Sequence, residues 1–234
     1  MGLRSLRDQL DGSVRPEHII AGAALIGAAF GGAGVAYVLG PASIGPLSLY
    51  VILLSFFHLS EFVTTAIFNP DTLSFDSSLL NHSFEYLIAH SAAMSEYIIE
   101  TCLFGAGSWK MSRLLLFSGL IICIIGQCFR TIAMCQAGTN FSHVIATMKE
   151  EKHVLVTSGV YSVVRHPSYF GFFWFTMGAQ ILLGNPLCMV VFALCLWKYF
   201  TQRIEYEEYL LINFFGEQYQ QYRTRVPSCI PLLF

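Results

Sequence analysis

Apolar residues run through this chain in long blocks, several of them close to the about 20 residues that carry a helix across a bilayer. The first, residues 18–39, is rich in Gly and Ala, and the second, residues 44–68, is bulkier and carries His58 and Glu61. A third, residues 84–104, contains Glu85, His90, Glu96 and Glu100. That much charge is too costly for a helix ringed by lipid, so its polar side is expected to face protein or a polar cavity. The fourth, residues 114–134, stays apolar until Gln127 and Arg130 near its end.

A polar region over residues 136–167 follows, and the apolar pattern resumes at Tyr169, breaks at Gly184-Asn185-Pro186 and continues to Phe200. Gly, Asn and Pro in succession inside an apolar run mark a helical hairpin. Its two arms, 169–183 and 186–200, are short for full crossings. They cross with help from flanking residues or dip in and return. The pattern predicts an all-α, polytopic integral-membrane protein of about six transmembrane segments. Residues 1–135 would form the N-terminal transmembrane helices, and residues 136–234 a catalytic region ending in a cytosolic helix.

Composition sharpens this reading. Of 234 residues, 55% are hydrophobic and only 12% charged, a balance that an ordinary soluble domain cannot bury. The formal net charge of −2 excludes the strongly basic face of a nucleic-acid binder. With both termini in the cytosol, Arg4, Arg7, Arg15, Lys149, Lys152, Arg165, Arg203, Arg223 and Arg225 fall on that side, and only Lys110 and Arg113 lie opposite. The charged N-terminus precedes a Gly/Ala-rich span with no clear cleavage site, which reads as an anchor and not a removed signal peptide. The seven cysteines form no CxxC pair and are expected to be buried free thiols. Cys229 is followed by five residues where a prenylation box has three. His58 with Glu61 and His82 with Glu85 share helical spacing, but polar pairing between helices is the expected role, and no metal site is predicted. There is no GxGxxG or P-loop motif, so a nucleoside cofactor would have to bind outside a Rossmann-type domain.

Two polar clusters carry the candidate chemistry. The first runs from His153 through Val154, Leu155, Val156 and Thr157-Ser158-Gly159-Val160 to Tyr161, and resumes as Arg165-His166-Pro167-Ser168-Tyr169-Phe170-Gly171. Ser158-Gly159 permits a turn, and Pro167 stops a helix from extending backwards. Polar side chains thus converge on a helix N-terminus, whose free N–H groups and partial positive charge suit a carboxylate. The plainer alternative is an interfacial collar, with Arg165 and His166 on lipid headgroups and the tyrosines as an aromatic belt. The second cluster is Arg203, Glu207 and Glu208, on a helix leaving the last apolar arm. Arg203 and Glu207, four apart, form either a simple salt bridge or a ligand-directed pair, and Glu208 is read as solvated.

In order, HxLVTSGVYxxxRHPSYxG, a hydrophobic hairpin, RxxxEE and FGxxYxxY resemble the isoprenylcysteine carboxyl methyltransferase family. Upstream, Phe57-His58-Leu59-Ser60-Glu61, Leu80-Asn81-His82-Ser83 with Glu85-Tyr86, and Ala137-Gly138-Thr139-Asn140-Phe141-Ser142-His143 look like its animal members, so the resemblance covers residues 50–231. RHPxYxG alone recurs in membrane sterol reductases and lipid methyltransferases; the paired glutamates discriminate. The resemblance implies methyl esterification of the C-terminal carboxylate of prenylated cysteine in processed CaaX proteins, with S-adenosyl-L-methionine as donor. It implies an endoplasmic reticulum membrane protein with its active site facing the cytosol, and farnesylated or geranylgeranylated proteins and the lipid bilayer as partners. The cofactor would be held by His153, Val154, Leu155, Val156, Tyr161, His166, Pro167, Ser168, Tyr169 and Glu207, with Arg203 facing the substrate and Arg203 and Glu207 as the catalytic pair. Two departures stand out: many animal relatives carry further hydrophobic segments ahead of the first one here, and a cofactor-side Gln where this chain has Ala146.

The chemistry of the residues agrees, because a carboxylate nucleophile is already ionised at neutral pH and needs no general base. What it needs is orientation, which a fixed guanidinium supplies in a forked grip. A gap between helices would admit the lipid sideways, with Glu61 and Glu85 as candidates for its polar end. An NADPH-dependent membrane sterol reductase and a non-catalytic prenyl-protein receptor are the alternatives.

Overall fold

Prolines set where several of the helices begin. Pro46, Pro167 and Pro186 each occupy a first turn, where the missing N–H costs nothing and the fixed φ already suits the helix. The computed structural model describes residues 16–70, 73–80, 83–105, 109–149, 151 and 153–228. Within them lie α1 (Pro16–Leu39), α2 (Gly45–Phe68), α3 (Phe84–Phe104), α4 (Arg113–Ala137), α5 (Pro167–Leu183), α6 (Pro186–Phe215) and α7 (Glu217–Arg225), with short 3-10 turns between some of them and no strand among the described residues. Arg4, Arg7, Arg15, Asn81, His82, Lys152 and Cys229 lie outside the described residues.

Among the described residues, four stretches are long and apolar enough to cross a bilayer: Ile19–Leu39, Ala42–Phe68, Arg113–Asn140 and Pro186–Phe215. Large apolar side chains such as Leu25, Val38, Ile67, Leu114, Ile121 and Leu194 point outward from them, as lipid-facing surfaces require. The hairpin turns where Gly184-Asn185-Pro186 placed it, and its second arm runs on as the helix that carries the second polar cluster. Its first arm, α5, has 17 residues, whereas the second is one helix of 30 that continues through Arg203, Glu207 and Glu208 without a break.

Glu96 and Glu100 of α3 face the hairpin turn, while His90 pairs with the Tyr50 hydroxyl. Glu96 accepts from the backbone N–H groups of Leu187 (2.8 Å) and Cys188 (2.7 Å), two first-turn donors of α6 that have no intrahelical partner. Glu100 pairs with Lys110 at 2.7 Å. The sequence assigned Lys110 only a topological role. It is buried, and its ammonium also donates to the Leu183 and Gly184 carbonyls and to Asn185 Oδ1. Asn185 Nδ2 in turn donates to the Ala93 carbonyl at 2.8 Å. His58 is likewise paired between segments, donating from Nδ1 to the Ser78 carbonyl (2.8 Å) and meeting the Tyr86 hydroxyl at Nε2 (3.1 Å).

The tightest contact joins α4 to α5. Gly119 and Gly126 of α4 face Gly178 and Gly171 of α5, each pair seven residues apart and the helices antiparallel. A Cβ on Gly126 would lie 2.4 Å from the Phe175 nitrogen, and one on Gly171 would lie 2.5 Å from the Gly126 carbonyl oxygen. In lipid, where apolar side chains gain nothing by avoiding solvent, such backbone approach is how helices acquire dispersion contacts. Phe57 and Phe175, stacked with centroids 5.1 Å apart, extend the core toward α2. The six described cysteines are free, but Cys102, Cys128 and Cys195 are exposed on the helix exteriors, and only Cys123 and Cys188 fit the buried-thiol expectation.

Gly126→Val is expected to destabilise the protein by about 1–3 kcal/mol or more, since backbone must move to admit the side chain. Thermal unfolding in detergent checks this, with Gly34→Val, at an open position, expected to leave the midpoint near the wild-type value.

Candidate active site

Pro167 starts α5 directly after the Arg165-His166 pair, so the side chains of residues 165–169 gather at the end of α5, against the extended end of α6. Tyr169 is the centre of this meeting. Its ring stacks on His166 (centroids 5.6 Å, planes 8° apart) and on Phe200 (5.1 Å, 25°). Its hydroxyl accepts from Arg203 Nε at 2.9 Å and donates to Glu207 Oε2 at 2.7 Å. Arg203 and Glu207 therefore meet through the Tyr169 hydroxyl, not in the direct salt bridge that their spacing permits. Arg203 also donates to the Tyr199 hydroxyl (3.2 Å) and to the His143 carbonyl (2.6 Å).

His166 lies between the two glutamates, with Nδ1 3.7 Å from Glu207 Oε2 and Nε2 3.2 Å from Glu208 Oε1. Glu208 is not solvated as its sequence context indicated: the residue is 5% exposed. Its partners explain why it tolerates burial. Arg165 Nε donates to Glu208 Oε1 at 2.8 Å, and Arg223 Nε reaches Oε2 at 3.1 Å. Arg165 is buried as well, donating to the Arg223 and Val226 carbonyls, so it ties α7 back onto the site and does not sit among headgroups. A cavity of about 300 Å³ opens beside these charges, lined by Arg165, Ile204, Glu208, Tyr209 and Arg223 among others.

The segment 153–156 has no regular secondary structure and lies against α7, where Leu155 packs on the Tyr219, Tyr222 and Val226 cluster while Val154 is exposed. The Val154 N–H donates to Asn140 Oδ1 at 2.7 Å. Gly159 takes φ +61°, and a Cβ there would collide with the Gln136 side chain, so the turn needs glycine. Tyr161 donates to the Ala133 carbonyl (3.3 Å), and its own carbonyl accepts from the Tyr222 hydroxyl (2.6 Å). Burial pushes the Tyr161 phenol up, and it pushes Tyr222 up to about 12. Both therefore remain protonated donors at neutral pH.

The structure thus brings His166, Tyr169, Arg203 and Glu207 into one cluster. Ser168 sits beside it, but its hydroxyl accepts from Arg130 at 2.9 Å. That contact belongs to a group the sequence reading missed. Arg130 grips Glu61 through two bonds, Nε to Oε1 at 2.6 Å and a terminal nitrogen to Oε2 at 2.8 Å, and His143 Nε2 donates to Oε2 at 2.9 Å. Glu61, 1% exposed with both oxygens engaged, is therefore closed to a substrate's polar end. The available signal was an opposite pair of charges within otherwise apolar spans, which rarely persists unpaired.

An all-helical membrane protein with a charged cluster where two helix ends and a segment without regular secondary structure meet is the class that fold and site define. The family model for the isoprenylcysteine carboxyl methyltransferase (ICMT) family matches residues 119–213. Proteins named protein-S-isoprenylcysteine O-methyltransferase are similar along most of the chain. The one from Xenopus laevis is 47% identical over 80% of this chain and 65% of its own length, and the one from Rattus norvegicus is 45% identical over 86% and 70%. The Schizosaccharomyces pombe protein is 40% identical over 94% of this chain and 97% of its own length. The fold is similar to the solved structure of a eukaryotic intramembrane Ras methyltransferase, isoprenylcysteine carboxyl methyltransferase, with a TM-score of 0.89 and 39% identity over 92% of this chain and 77% of that one. This chain belongs to the isoprenylcysteine carboxyl methyltransferase family.

Glu208→Gln should leave Arg165 buried without a charged partner and cost about 3–5 kcal/mol. A lowered unfolding midpoint, with easier proteolysis of the chain around α7, is the expected outcome.

Proposed function

We propose that this protein transfers a methyl group from S-adenosyl-L-methionine to the C-terminal carboxylate of a prenylated cysteine, giving the methyl ester. The observation that carries this reading is the Arg203–Tyr169–Glu207 cluster. Three of the five N–H groups of Arg203 are engaged by Tyr169, Tyr199 and the His143 carbonyl, which fixes the guanidinium and leaves two to receive a carboxylate. No side chain has to remove a proton, because the acceptor is already an anion.

The residues fit the cofactor. Glu207, whose side chain remains 29% exposed, offers negative charge toward a sulfonium, and the 153–156 segment offers apolar surface through exposed Val154 and half-buried Leu155 and Val156. His166, Pro167, Ser168 and Tyr169 supply the polar start of α5 for the amino-acid end, with Tyr161 alongside. When bound, the cofactor supplies an electrophilic methyl on a cationic sulfur, which leaves as a neutral thioether. Arg203 orients the acceptor oxygen, Glu207 balances the sulfonium charge, and the aromatic stack of His166, Tyr169 and Phe200 limits water near a nucleophile that hydration weakens.

A prenyl chain favours the bilayer and the cofactor favours water, so a site at the ends of long helices serves both. Residues 1–135 would embed the protein and residues 136–234 would carry the chemistry, with both termini and the site on the cytosolic side of the endoplasmic reticulum membrane. Six crossings result if α3 and α5, too polar or too short to qualify alone, also span. Farnesylated and geranylgeranylated proteins ending in cysteine are the acceptors this reading requires.

Transfer of radiolabelled methyl to N-acetyl-S-farnesylcysteine by the purified protein in lipid tests the proposal. Base-labile label on that compound and none on N-acetylcysteine is the expected result. Arg203→Ala and Glu207→Ala should each lower turnover on the order of a hundredfold, with unfolding midpoints near wild type. Equal labelling of both acceptors, or near-normal turnover in both variants, would refute it.

A further inference from the structure

Around the cluster, the polar contacts form a closed circuit through five parts of the chain. Arg203 on α6 donates to the His143 carbonyl at 2.6 Å. The ring of the same residue donates to Glu61 on α2 at 2.9 Å. Glu61 is held by Nε and one terminal nitrogen of the Arg130 guanidinium on α4. Arg130 donates onward to the hydroxyl (2.9 Å) and carbonyl (3.3 Å) of Ser168 in the first turn of α5. The next residue, Tyr169, accepts from Arg203 and closes the loop.

The half of the circuit made by Glu61, Arg130 and Ser168 is buried. Arg203 has no ion pair of its own within it; His143 ties its outer nitrogen to the buried half through one residue's ring and carbonyl. The His143 side chain is 21% exposed, which places it at the rim of the site. Phe141 packs edge-on against its ring, with centroids 5.2 Å apart, and fixes the ring's plane.

We infer that His143 is a positioning residue for the transfer, setting the guanidinium of Arg203 by coupling it to the buried Glu61–Arg130 pair. This rests on the proposed function for its kinetic consequence, but the coupling itself is a property of the fold. Because Glu61 is locked by Arg130, it holds the His143 ring, and the ring holds the backbone carbonyl to which Arg203 is bonded. Without the ring contact the segment bearing that carbonyl drifts, and Arg203 loses the bond that aims its two remaining N–H groups. A shift of about 1 Å in an orienting group costs on the order of a hundredfold in rate.

Two substitutions separate positioning from mere structure. His143→Phe keeps the ring and its contact with Phe141 but removes the donor, and His143→Gln keeps a donor near the Nε2 position. Two readouts apply to wild type and both variants. The first is the rate at which phenylglyoxal modifies Arg203, located by mass spectrometry with exposed Arg225 as internal reference. The second is the kinetics of methyl transfer to N-acetyl-S-farnesylcysteine. The expected result for His143→Phe is several-fold faster modification of Arg203. Its kcat should fall on the order of tenfold to a hundredfold and its KM for the prenylcysteine rise, while its KM for S-adenosylmethionine stays near wild type. His143→Gln should restore most of the protection and most of the rate. Unchanged Arg203 protection in His143→Phe would overturn the inference, as would a Gln variant as impaired as the Phe variant. A wild-type protein without transferase activity, but with Arg203 exposed only in His143→Phe, would refute the proposed function and leave the coupling standing.

Discussion

A glutamate and an arginine facing each other within membrane-spanning helices have few alternatives to each other. Water is scarce there, and an unpaired charge is costly enough that the helices carrying the pair must stay together. Glu61 and Arg130 meet through two short bonds and thereby dock α2 on α4. Arg130 also binds Ser168, so the same pair fixes the start of α5, and His143 extends it to the segment that contacts Arg203. The site is assembled on this pair, with the glycine contact between α4 and α5 holding the two helices close enough for Arg130 to reach Ser168.

The opposite end of the molecule uses the same logic for a structural purpose. The hairpin turn between α5 and α6 exposes carbonyls and N–H groups that need partners, and Glu96, Glu100, Lys110 and Asn185 supply them. A helix that looks too polar for lipid is thus the clamp for a turn. The candidate site lies at the ends of α5 and α6 farthest from that turn, where α7 is tied back through Arg165 and Glu208 and Leu155 packs on its aromatic residues.

Much of this was legible in the sequence because it depends on local order. Ser83 caps α3, its hydroxyl accepting from the Tyr86 N–H, and Gly105 ends that helix, so its limits agree with the apolar block. Pro167 and Gly184-Asn185-Pro186 place the hairpin for the same reason. That His166, Tyr169, Arg203 and Glu207 belong to one site was implied by the family resemblance of the two motifs that carry them. What remained hidden depends on which helix faces which. Nothing in the neighbourhood of Glu208 distinguishes a solvated carboxylate from one enclosed by Arg165 and Arg223, and no periodicity links Glu61 to Arg130 across 69 positions.

The proposed reaction brings a lipid-borne carboxylate and a water-borne methyl donor together at Arg203, Tyr169 and Glu207. Its most direct test is an experimental structure of the protein in lipid with S-adenosylhomocysteine and S-farnesylcysteine bound together. The cysteine carboxylate is expected within hydrogen-bonding distance of Arg203 and the cofactor's sulfur on the Glu207 side, with the prenyl chain leading toward the bilayer. A carboxylate held elsewhere, with the Arg203 contacts to Tyr169, Tyr199 and His143 unchanged and no ligand beside it, would contradict it.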